Sequence, residues 1–209
     1  MTTRAKERRP RPATRAARRT ENTGRILDAA ILCLNKYAYS GTTLALIADA
    51  AGVSRGQVQN IFGVKRSDLL VRIAQEIFDR YSAEYHAAID AASNPIELSD
   101  NMWDAIHKLY NQPETLALIE LWLATRTDRK LHTKLRDMLT RADAALNDRW
   151  LEIFAKGNVG AEKVPVIRFF QRGVMRGLAI ERLLGGSDKL FDSIIATARS
   201  ASTRLITAK

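Results

Sequence analysis

The stretch from Leu44 to Gly63 holds the residues whose types and spacing suggest a chemistry. It reads LALIADAAGVSRGQVQNIFG. Small or apolar residues stand where two crossing helices must touch, namely Ile47, Ala48, Ala51, Val53, Val58 and Ile61. The polar residues of the second helix point the other way, and they are Arg55, Gln57, Gln59 and Asn60. Arginine can pair with guanine through two hydrogen bonds, and glutamine or asparagine can pair with adenine. The pattern favours a helix-turn-helix that reads DNA over an ordinary helical hairpin.

The same stretch contains a second motif with a different chemistry. Residues 52–56 read GVSRG, which matches the G-x-S-x-G turn that presents a nucleophilic serine in α/β-hydrolases. That turn needs a buried strand before it, and the preceding segment here has a helical pattern. The three histidines, His86, His107 and His132, lie on predicted helices without a sheet and lack metal-ligand spacing. We therefore expect no enzyme and no metal site, and we assign Ser54 to the cap of a helix.

The elements that position these residues are all predicted to be helical. Apolar residues recur at intervals of three and four, and no segment alternates in the manner of a strand. The predicted helices span about 23–38, 44–51, 54–62, 67–91, 96–111, 114–126, 129–156, 164–185 and 187–207. The prediction is an all-α fold. Residues 1–20 form a disordered basic arm, 21–66 a three-helix unit, and 67–209 a larger helical domain entered through one long helix.

Composition and charge narrow the classes of partner. The chain has 209 residues, a hydrophobic fraction of 46% and one cysteine, Cys33, so we expect a packed core without disulfides in a reducing cytoplasm. No apolar run suits a membrane span or a secretory signal peptide. Residues 1–20 carry +7 of the formal charge of +10. This arm is either a solvated tail or a segment that follows phosphates or enters a minor groove, with Arg15, Arg18 and Arg19 as its DNA-contacting residues. It lacks the apolar face of a membrane-surface segment.

The segment ILDAAILCLNKYAYSGTTLALIADAAGVSRGQVQNIFGVKRSDLL resembles the DNA-binding domain of TetR-family transcriptional regulators. The matching features include Thr42-Thr43, Ile47-Ala48 and the run Ala51 to Ser54. Weaker similarity extends to the C-terminal part. The resemblance implies a homodimer that binds double-stranded operator DNA, more often a repressor than an activator. It also implies a C-terminal domain that binds a small-molecule effector, and it implies no further cofactor.

The resemblance assigns roles to individual residues. Thr43, Ser54 and Lys65 match positions that hold the DNA backbone, and Arg55, Gln57 and Gln59, with Asn60, match the reading face. The sequence departs from the family in three places: Gln59 replaces a usual tyrosine, Ile61 replaces a histidine or tyrosine, and Ala38 replaces a glycine. We expect Gln59 still to bond a phosphate or a base edge, and Gly41 to take over the turn after the first helix.

A ligand pocket is predicted from aromatic residues of the second domain. Trp103, His107 and Tyr110 share a helix face at i, i+4 and i+7. Large rings with polar tips suit the wall of a cavity. The predicted lining is Trp103, His107, Tyr110, Trp122, Arg126 and Phe170. The alternative is that these residues pack a core, and that the protein is a constitutive DNA-binding dimer whose C-terminal domain only dimerises.

The last two predicted helices are the candidate dimer interface. Gly173 and Gly177 are four residues apart and allow two helices to approach closely. The predicted interface residues are Gly173, Val174, Gly177, Leu178, Phe191 and Ile195. The alternative for each of them is packing within one chain.

Overall fold

The computed structural model describes residues 15–208, and within that range all regular structure is helical. The elements are α1 (Arg15–Gly41), α2 (Leu44–Ala51), α3 (Arg55–Phe62), α4 (Arg66–Asp90), α5 (Pro95–Tyr110), α6 (Pro113–Ala124), α7 (Arg129–Lys156), α8 (Lys163–Glu181) and α9 (Asp188–Thr207), with a 3-10 turn over Arg182–Leu184. The predicted all-α fold is confirmed. The predicted helix 164–185 proves to be α8 followed by the 3-10 turn. No helix of the described range is long and apolar enough to cross a membrane.

The first helix begins earlier than the sequence predicts. Residues 15–20 belong to α1 and are not part of a disordered arm, while residues 1–14 of the predicted arm lie outside the described residues. Arginine and alanine favour helix strongly, so the amphipathic helix extends through this basic segment. Two threonine hydroxyls near the start of α1 donate hydrogen bonds to backbone carbonyls four residues earlier. Thr20 donates to the carbonyl of Ala16, and Thr23 donates to that of Arg19.

The end of α1 contains an unusual backbone conformation. Ala38 has φ 54° and ψ −179°, a region that is almost exclusive to glycine. The glycines with positive φ in the described range are Gly52, Gly63 and Gly185. The expectation that Gly41 takes over the turn is therefore wrong, because Ala38 itself adopts the conformation of the family's glycine. The buried Thr42 hydroxyl donates to the Ala38 carbonyl at 2.8 Å and holds this turn.

The helix-turn-helix forms as its sequence predicts. Ile47, Ala48, Ala51 and Val58 are buried where α2 and α3 cross. Gly52 ends α2 in the left-handed conformation, with φ 62° and ψ 39°, which glycine adopts at little cost. The unit packs on α1, and α1 packs in turn on α6.

The long helix α4 connects the two parts of the chain. Its first residues contact α3, and the rest packs against α5, α6 and α7. Behind it, α5 packs against α8 and α9. Two buried polar contacts hold that layer: the indole N–H of Trp103 donates to Ser202 Oγ at 3.2 Å, and Gln171 Nε2 donates to the Ser99 carbonyl at 3.0 Å.

Candidate DNA-binding surface and ligand cavity

The helix α3 begins with a reciprocal cap. The Ser54 hydroxyl accepts from the backbone N–H of Gln57 at 3.2 Å, and Gln57 Oε1 accepts from the backbone N–H of Ser54 at 2.8 Å. This capping box satisfies two backbone donors that a helix start otherwise leaves unpaired. It uses one of the two lone pairs of Gln57 Oε1 and leaves the Nε2 group unpaired. The bond to Ser54 therefore restricts how the Gln57 amide can turn toward a base.

The remaining predicted reading residues lie on the outer side of α3. Arg55 and Asn60 are exposed, and Gln59 is half-buried. Within residues 15–208, no hydrogen bond or ion pair of the Arg55 and Asn60 side chains is recorded, so their donors face solvent. Exposed arginine and asparagine side chains on a recognition helix can reach base edges in a major groove.

The three predicted backbone-contacting residues each precede a helix. Thr43 caps α2, where its hydroxyl accepts from the Leu46 N–H at 3.2 Å, and Ser54 caps α3. Lys65 stands before α4 without a side-chain cap bond, so its exposed ammonium is available to another partner. Helix N-termini carry partial positive charge and unpaired N–H groups, which suit phosphate oxygens.

An arginine that the sequence reasoning missed supports the turn between α2 and α3. Arg25 of α1 donates through Nη2 to the carbonyl of Ala51 at 2.6 Å and to that of Gly52 at 3.3 Å. The last carbonyls of a helix lack intrahelical partners, and a guanidinium supplies donors for them. The sequence shows only a basic residue on the exposed face of α1. It does not show that this residue bonds to the Ala51 carbonyl, because Ala51 is 26 residues away in the sequence.

The basic start of α1 lies beside this unit. The side chains of Arg18 and Arg19 are exposed, and Arg19 lines a polar groove together with Ile61 and Phe62 of α3 and Asp68 of α4. Two of the three predicted arm cations, Arg18 and Arg19, thus project from a helix, and Arg19 is near the end of the candidate recognition helix. Arg15 is the first residue of that helix.

A cavity of about 290 Å³ lies in the second part of the chain. Its wall is built by α4 through α8 and is mostly aromatic or aliphatic, with two arginines and one aspartate. The lining residues are Phe78, Tyr81 and Tyr85 of α4, Tyr110 of α5, Thr115, Leu118 and Trp122 of α6, Leu139, Thr140, Ala142, Asp143 and Leu146 of α7, and Phe169, Arg172 and Arg176 of α8. Burial raises the pKa of the Tyr81 and Tyr85 hydroxyls, so both remain neutral.

The cavity includes some of the predicted pocket residues and leaves out others. Tyr110 and Trp122 line it. Trp103 does not, because it is fully buried and packs edge-to-face on Phe170 with 6.1 Å between ring centroids. The prediction of Trp103 and Phe170 as cavity residues is therefore wrong.

The other two predicted pocket residues also lie elsewhere. His107 borders a separate space of about 10 Å³ between α5, α8 and α9, which is too small for a ligand. Arg126 is exposed in the loop after α6. Helical spacing groups residues on one face, but it does not say whether that face meets a cavity or a neighbouring helix, and this explains the errors.

The charged groups of the cavity wall are two arginines and one aspartate. Asp143 Oδ1 accepts from Arg172 Nη1 at 2.8 Å and from Arg168 Nη2 at 2.6 Å. Arg176 lies over the Trp122 ring at 4.2 Å, and its Nε donates to the Tyr110 hydroxyl at 3.3 Å. The sequence reasoning missed Arg172 and Arg176, because arginines on an amphipathic helix usually face solvent.

The chain is similar to known transcriptional regulators in sequence. Residues 26–71 match the sequence model described as bacterial regulatory proteins, tetR family. The HTH-type transcriptional regulator CymR of Pseudomonas putida is 22% identical over 185 residues, which is 88% of this chain and 91% of that protein. Residues 26–71 are thus similar to the DNA-binding domain of TetR-family regulators, and the likeness to such a regulator extends over most of the chain.

Solved structures agree with this TetR-family fold. The fatty acid degradation regulator FadR of Bacillus halodurans superposes with a TM-score of 0.73 at 18% identity, covering 90% of this chain and 95% of that one. FadR of Bacillus subtilis, solved in complex with stearoyl-CoA, superposes with a TM-score of 0.71 at 16% identity, covering 90% and 99%. The shared fold includes the second helical domain as well as the helix-turn-helix.

Contacts join the two parts of the chain at the start of α4. The Tyr39 hydroxyl donates to Asp128 Oδ2 at 2.7 Å, and the Arg66 guanidinium lies 4.1 Å over the Tyr39 ring. Burial raises the pKa of Tyr39, and hydrogen bonds from the Leu131 N–H and from Tyr39 lower the pKa of Asp128. An ion pair between Asp68 and Lys134 adds a second link from α4 to α7. The end of α1, the start of α4 and the start of α7 therefore meet at one place.

The helices α8 and α9 expose apolar side chains, although these differ from most of the predicted interface residues. The glycines Gly173 and Gly177 are exposed with open space around them. Leu178, Phe191 and Ile195 are buried within the chain, and Val174 is half-buried. The prediction of Leu178, Phe191 and Ile195 as interface residues is therefore wrong. The exposed apolar residues of α8, the 3-10 turn and α9 include Val166, Phe169, Ile180, Leu184, Leu190 and Ile194.

Proposed function

We propose that this protein is a dimeric repressor that a compact small molecule releases from its operator. The observation that carries the proposal is the cavity of about 290 Å³, because α4 forms part of its wall. The same helix begins directly after the recognition helix α3. A molecule in the cavity is thus in contact with the element that positions the DNA-binding unit.

The DNA-binding part of the proposal concerns residues 21–66. Arg55, Gln59 and Asn60 read base edges, and Thr43, Ser54 and Lys65 hold phosphates. Their exposure or partial exposure on α3 and at three helix starts supports these roles. Gln57 acts first as the partner of Ser54 in the capping box. The basic residues before position 21 add attraction to phosphates, and the compartment is the cytoplasm, where operator DNA is found.

The dimerisation part of the proposal concerns α8 and α9, within a ligand-binding and dimerisation domain of residues 67–209. Val166, Phe169, Gly173, Gly177 and Ile180 of α8 are exposed and follow one another at intervals of three and four, so they form one stripe of apolar residues and glycines. Such a stripe is unusual on a monomer and suits a second copy of the same surface. In the dimer, two α3 helices would enter successive major grooves about 34–36 Å apart.

The ligand acts by favouring one arrangement of α4. Phe78, Tyr81 and Tyr85 face the cavity, and Arg66 and Asp68 at the start of the same helix contact Tyr39 and Lys134. A ligand that fits better when α4 is displaced shifts the population toward that state, by no more than its difference in affinity. The change in α3 spacing would then weaken operator binding.

A constitutive DNA-binding dimer is the competing function. It requires a second domain with a packed interior, and the cavity is the feature that argues against it. The stearoyl-CoA complex of the Bacillus subtilis FadR is a case of ligand binding within this fold. The cavity here is at the low end of the range of roughly 300–1,000 Å³ found for small-molecule sites, so a more compact ligand is proposed.

The test uses a variant that fills the cavity. A bound duplex is first obtained by selection from a random-sequence DNA library, and compounds are then screened for displacement of the protein from it. Ala142→Phe places a ring in the cavity, whereas Ala144→Phe places one on the exposed side of α7. We expect Ala142→Phe to bind DNA and resist displacement, and Ala144→Phe to behave like the wild type. Equal displacement of both variants would mean that the effector acts outside this cavity. Failure of every compound to displace the wild type would favour the constitutive alternative.

A further inference from the structure

The charges on the cavity wall do not balance. Asp143 is the one acidic residue among the described lining residues, whereas Arg172 and Arg176 are both basic. Asp143 is already shared, because Arg168 and Arg172 both donate to its Oδ1 atom. Arg176 has no ion pair within residues 15–208. Its recorded contacts there are the Tyr110 hydroxyl and the face of the Trp122 ring. The wall therefore keeps an excess of positive charge close to Arg176.

The unsatisfied polar atoms of the wall are all donors. The Nε1 of Trp122 and the Nε of Arg172 are buried and have no hydrogen-bond acceptor among the described residues. Indole and guanidinium nitrogens can only donate. A buried donor without an acceptor costs about 1–3 kcal/mol. A wall whose unpaired polar atoms are donors suits a ligand with acceptor oxygens better than a ligand that brings only donors.

The rest of the wall determines what is attached to those oxygens. Aliphatic and aromatic side chains dominate it, for example Leu118, Leu139 and Phe78. The Tyr81 hydroxyl lies 3.3 Å from the Thr115 hydroxyl, and the other hydroxyls of the wall are those of Tyr85, Tyr110 and Thr140. The volume of about 290 Å³ limits the apolar body to a compact one.

We propose that the effector is a compact apolar or aromatic monocarboxylate. Its carboxylate lies against the Arg176 guanidinium, which stacks on the Trp122 ring, and its apolar body lies toward α4. Asp143 is shared by Arg168 and Arg172, and Arg176 has no acidic partner among the described residues, so a carboxylate beside Arg176 offsets part of the excess positive charge. The inference rests on the proposed function, because it takes this cavity to be the effector site.

The probes are phenylpropionate, naphthalene-2-carboxylate and octanoate, each paired with its primary amide. Titration calorimetry of the full-length protein without DNA measures their binding. We expect each carboxylate that binds to exceed its amide by about 10- to 100-fold in affinity, which is the value of a charge-assisted hydrogen bond. An amide that binds as well as its acid, or a failure of all three acids at millimolar concentration, would overturn the proposal.

Variants locate the carboxylate. Arg176→Met should lower carboxylate affinity about 10- to 100-fold and leave the weak amide affinity unchanged. Arg176→Lys keeps the charge and should retain part of the preference. Arg149→Met is the matched control, because Arg149 is exposed on α7 and pairs with Asp90 and Glu152 outside the cavity. If Arg149→Met reduces affinity as much as Arg176→Met, the effect is one of net charge and the proposed site is wrong.

Displacement from DNA separates the two proposals. If carboxylates bind with the expected dependence on Arg176 but leave operator affinity unchanged, the ligand class stands and the proposed release mechanism fails. If neutral compounds bind in the cavity and release the protein from DNA, the mechanism stands and the ligand class is wrong. Thermal unfolding of each variant verifies that it is folded at the assay temperature.

Discussion

Replacement of Ala38 by glycine should stabilise the protein. Ala38 has φ 54° and ψ −179° at the end of α1. A non-glycine residue in that region stores about 1–3 kcal/mol of strain. Glycine removes the strain but gives the unfolded chain more freedom, which costs about 0.4–1 kcal/mol. The net expectation is a gain of about 0.5–2 kcal/mol in the free energy of unfolding.

Urea-induced unfolding followed by circular dichroism measures this gain. For a chain of this size, each kcal/mol shifts the melting temperature by about 2–4 °C, so thermal unfolding gives an independent reading. The Thr42 hydroxyl bond to the Ala38 carbonyl uses a backbone atom, so the substitution leaves it in place. The DNA-contacting residues are untouched, and operator affinity should stay within about twofold.

Ala83→Gly is the matched control. Ala83 is exposed in the interior of α4, where its backbone is helical. Glycine there should lower the free energy of unfolding by about 0.5–1 kcal/mol. The two substitutions should thus change stability in opposite directions. If Ala38→Gly destabilises as much as Ala83→Gly, the backbone at position 38 is not strained and the reasoning fails.

Three further predictions concern DNA reading, the core and the basic segment. Arg55→Ala should cost about 1–3 kcal/mol of binding free energy at the preferred operator and relax the preference for one base. Gln57→Ala should weaken binding to all sequences alike, because it opens the capping box. Competition with a panel of operator variants separates the two effects, and identical profiles would contradict the assignment. Trp103→Ala should lower the free energy of unfolding in urea by about 3–5 kcal/mol without changing effector affinity in the folded protein. A stable variant that no longer binds effector would show that Trp103 contributes to the effector site. Deletion of residues 1–14 should weaken DNA binding and make the affinity less dependent on salt concentration. Titrations at several salt concentrations measure the slope of log affinity against log salt. An unchanged slope would mean that this segment does not contact phosphates.

The local signals in the sequence were sufficient for the fold and for the helix-turn-helix. Thr43, Gly52 and Ser54 are residue types that start and stop helices, and each has the predicted role in the structure. Buried positions such as Ala48 and Val58 follow from the need of two crossing helices to touch. These features depend on neighbours within a few residues, and a sequence records such neighbours directly.

The cavity and the interface depend on distant partners, and there the predictions were partly wrong. Trp103 and Trp122 have the same chemistry, yet one packs against α9 and the other lines the cavity. Phe191 is buried and Leu190 is exposed, although both are apolar residues of α9. Periodicity identifies apolar faces, but the choice between core, cavity and partner surface is made by the packing of α5, α8 and α9. The positive φ at Ala38 also had no local signal, because alanine rarely adopts it.

The division of labour along α3 has a consequence for how operator preference can change during evolution. Gln57 contributes to the cap of its own helix, so substitutions there carry a cost in stability. Arg55 and Asn60 are exposed, and within residues 15–208 no recorded contact ties them to the fold. Mutations at these two positions can therefore change the base preference without altering the helix-turn-helix. The Arg25 bonds to the turn between α2 and α3 stay in place. A lineage of such proteins can acquire new target sites by single exposed substitutions, without first acquiring a more stable scaffold.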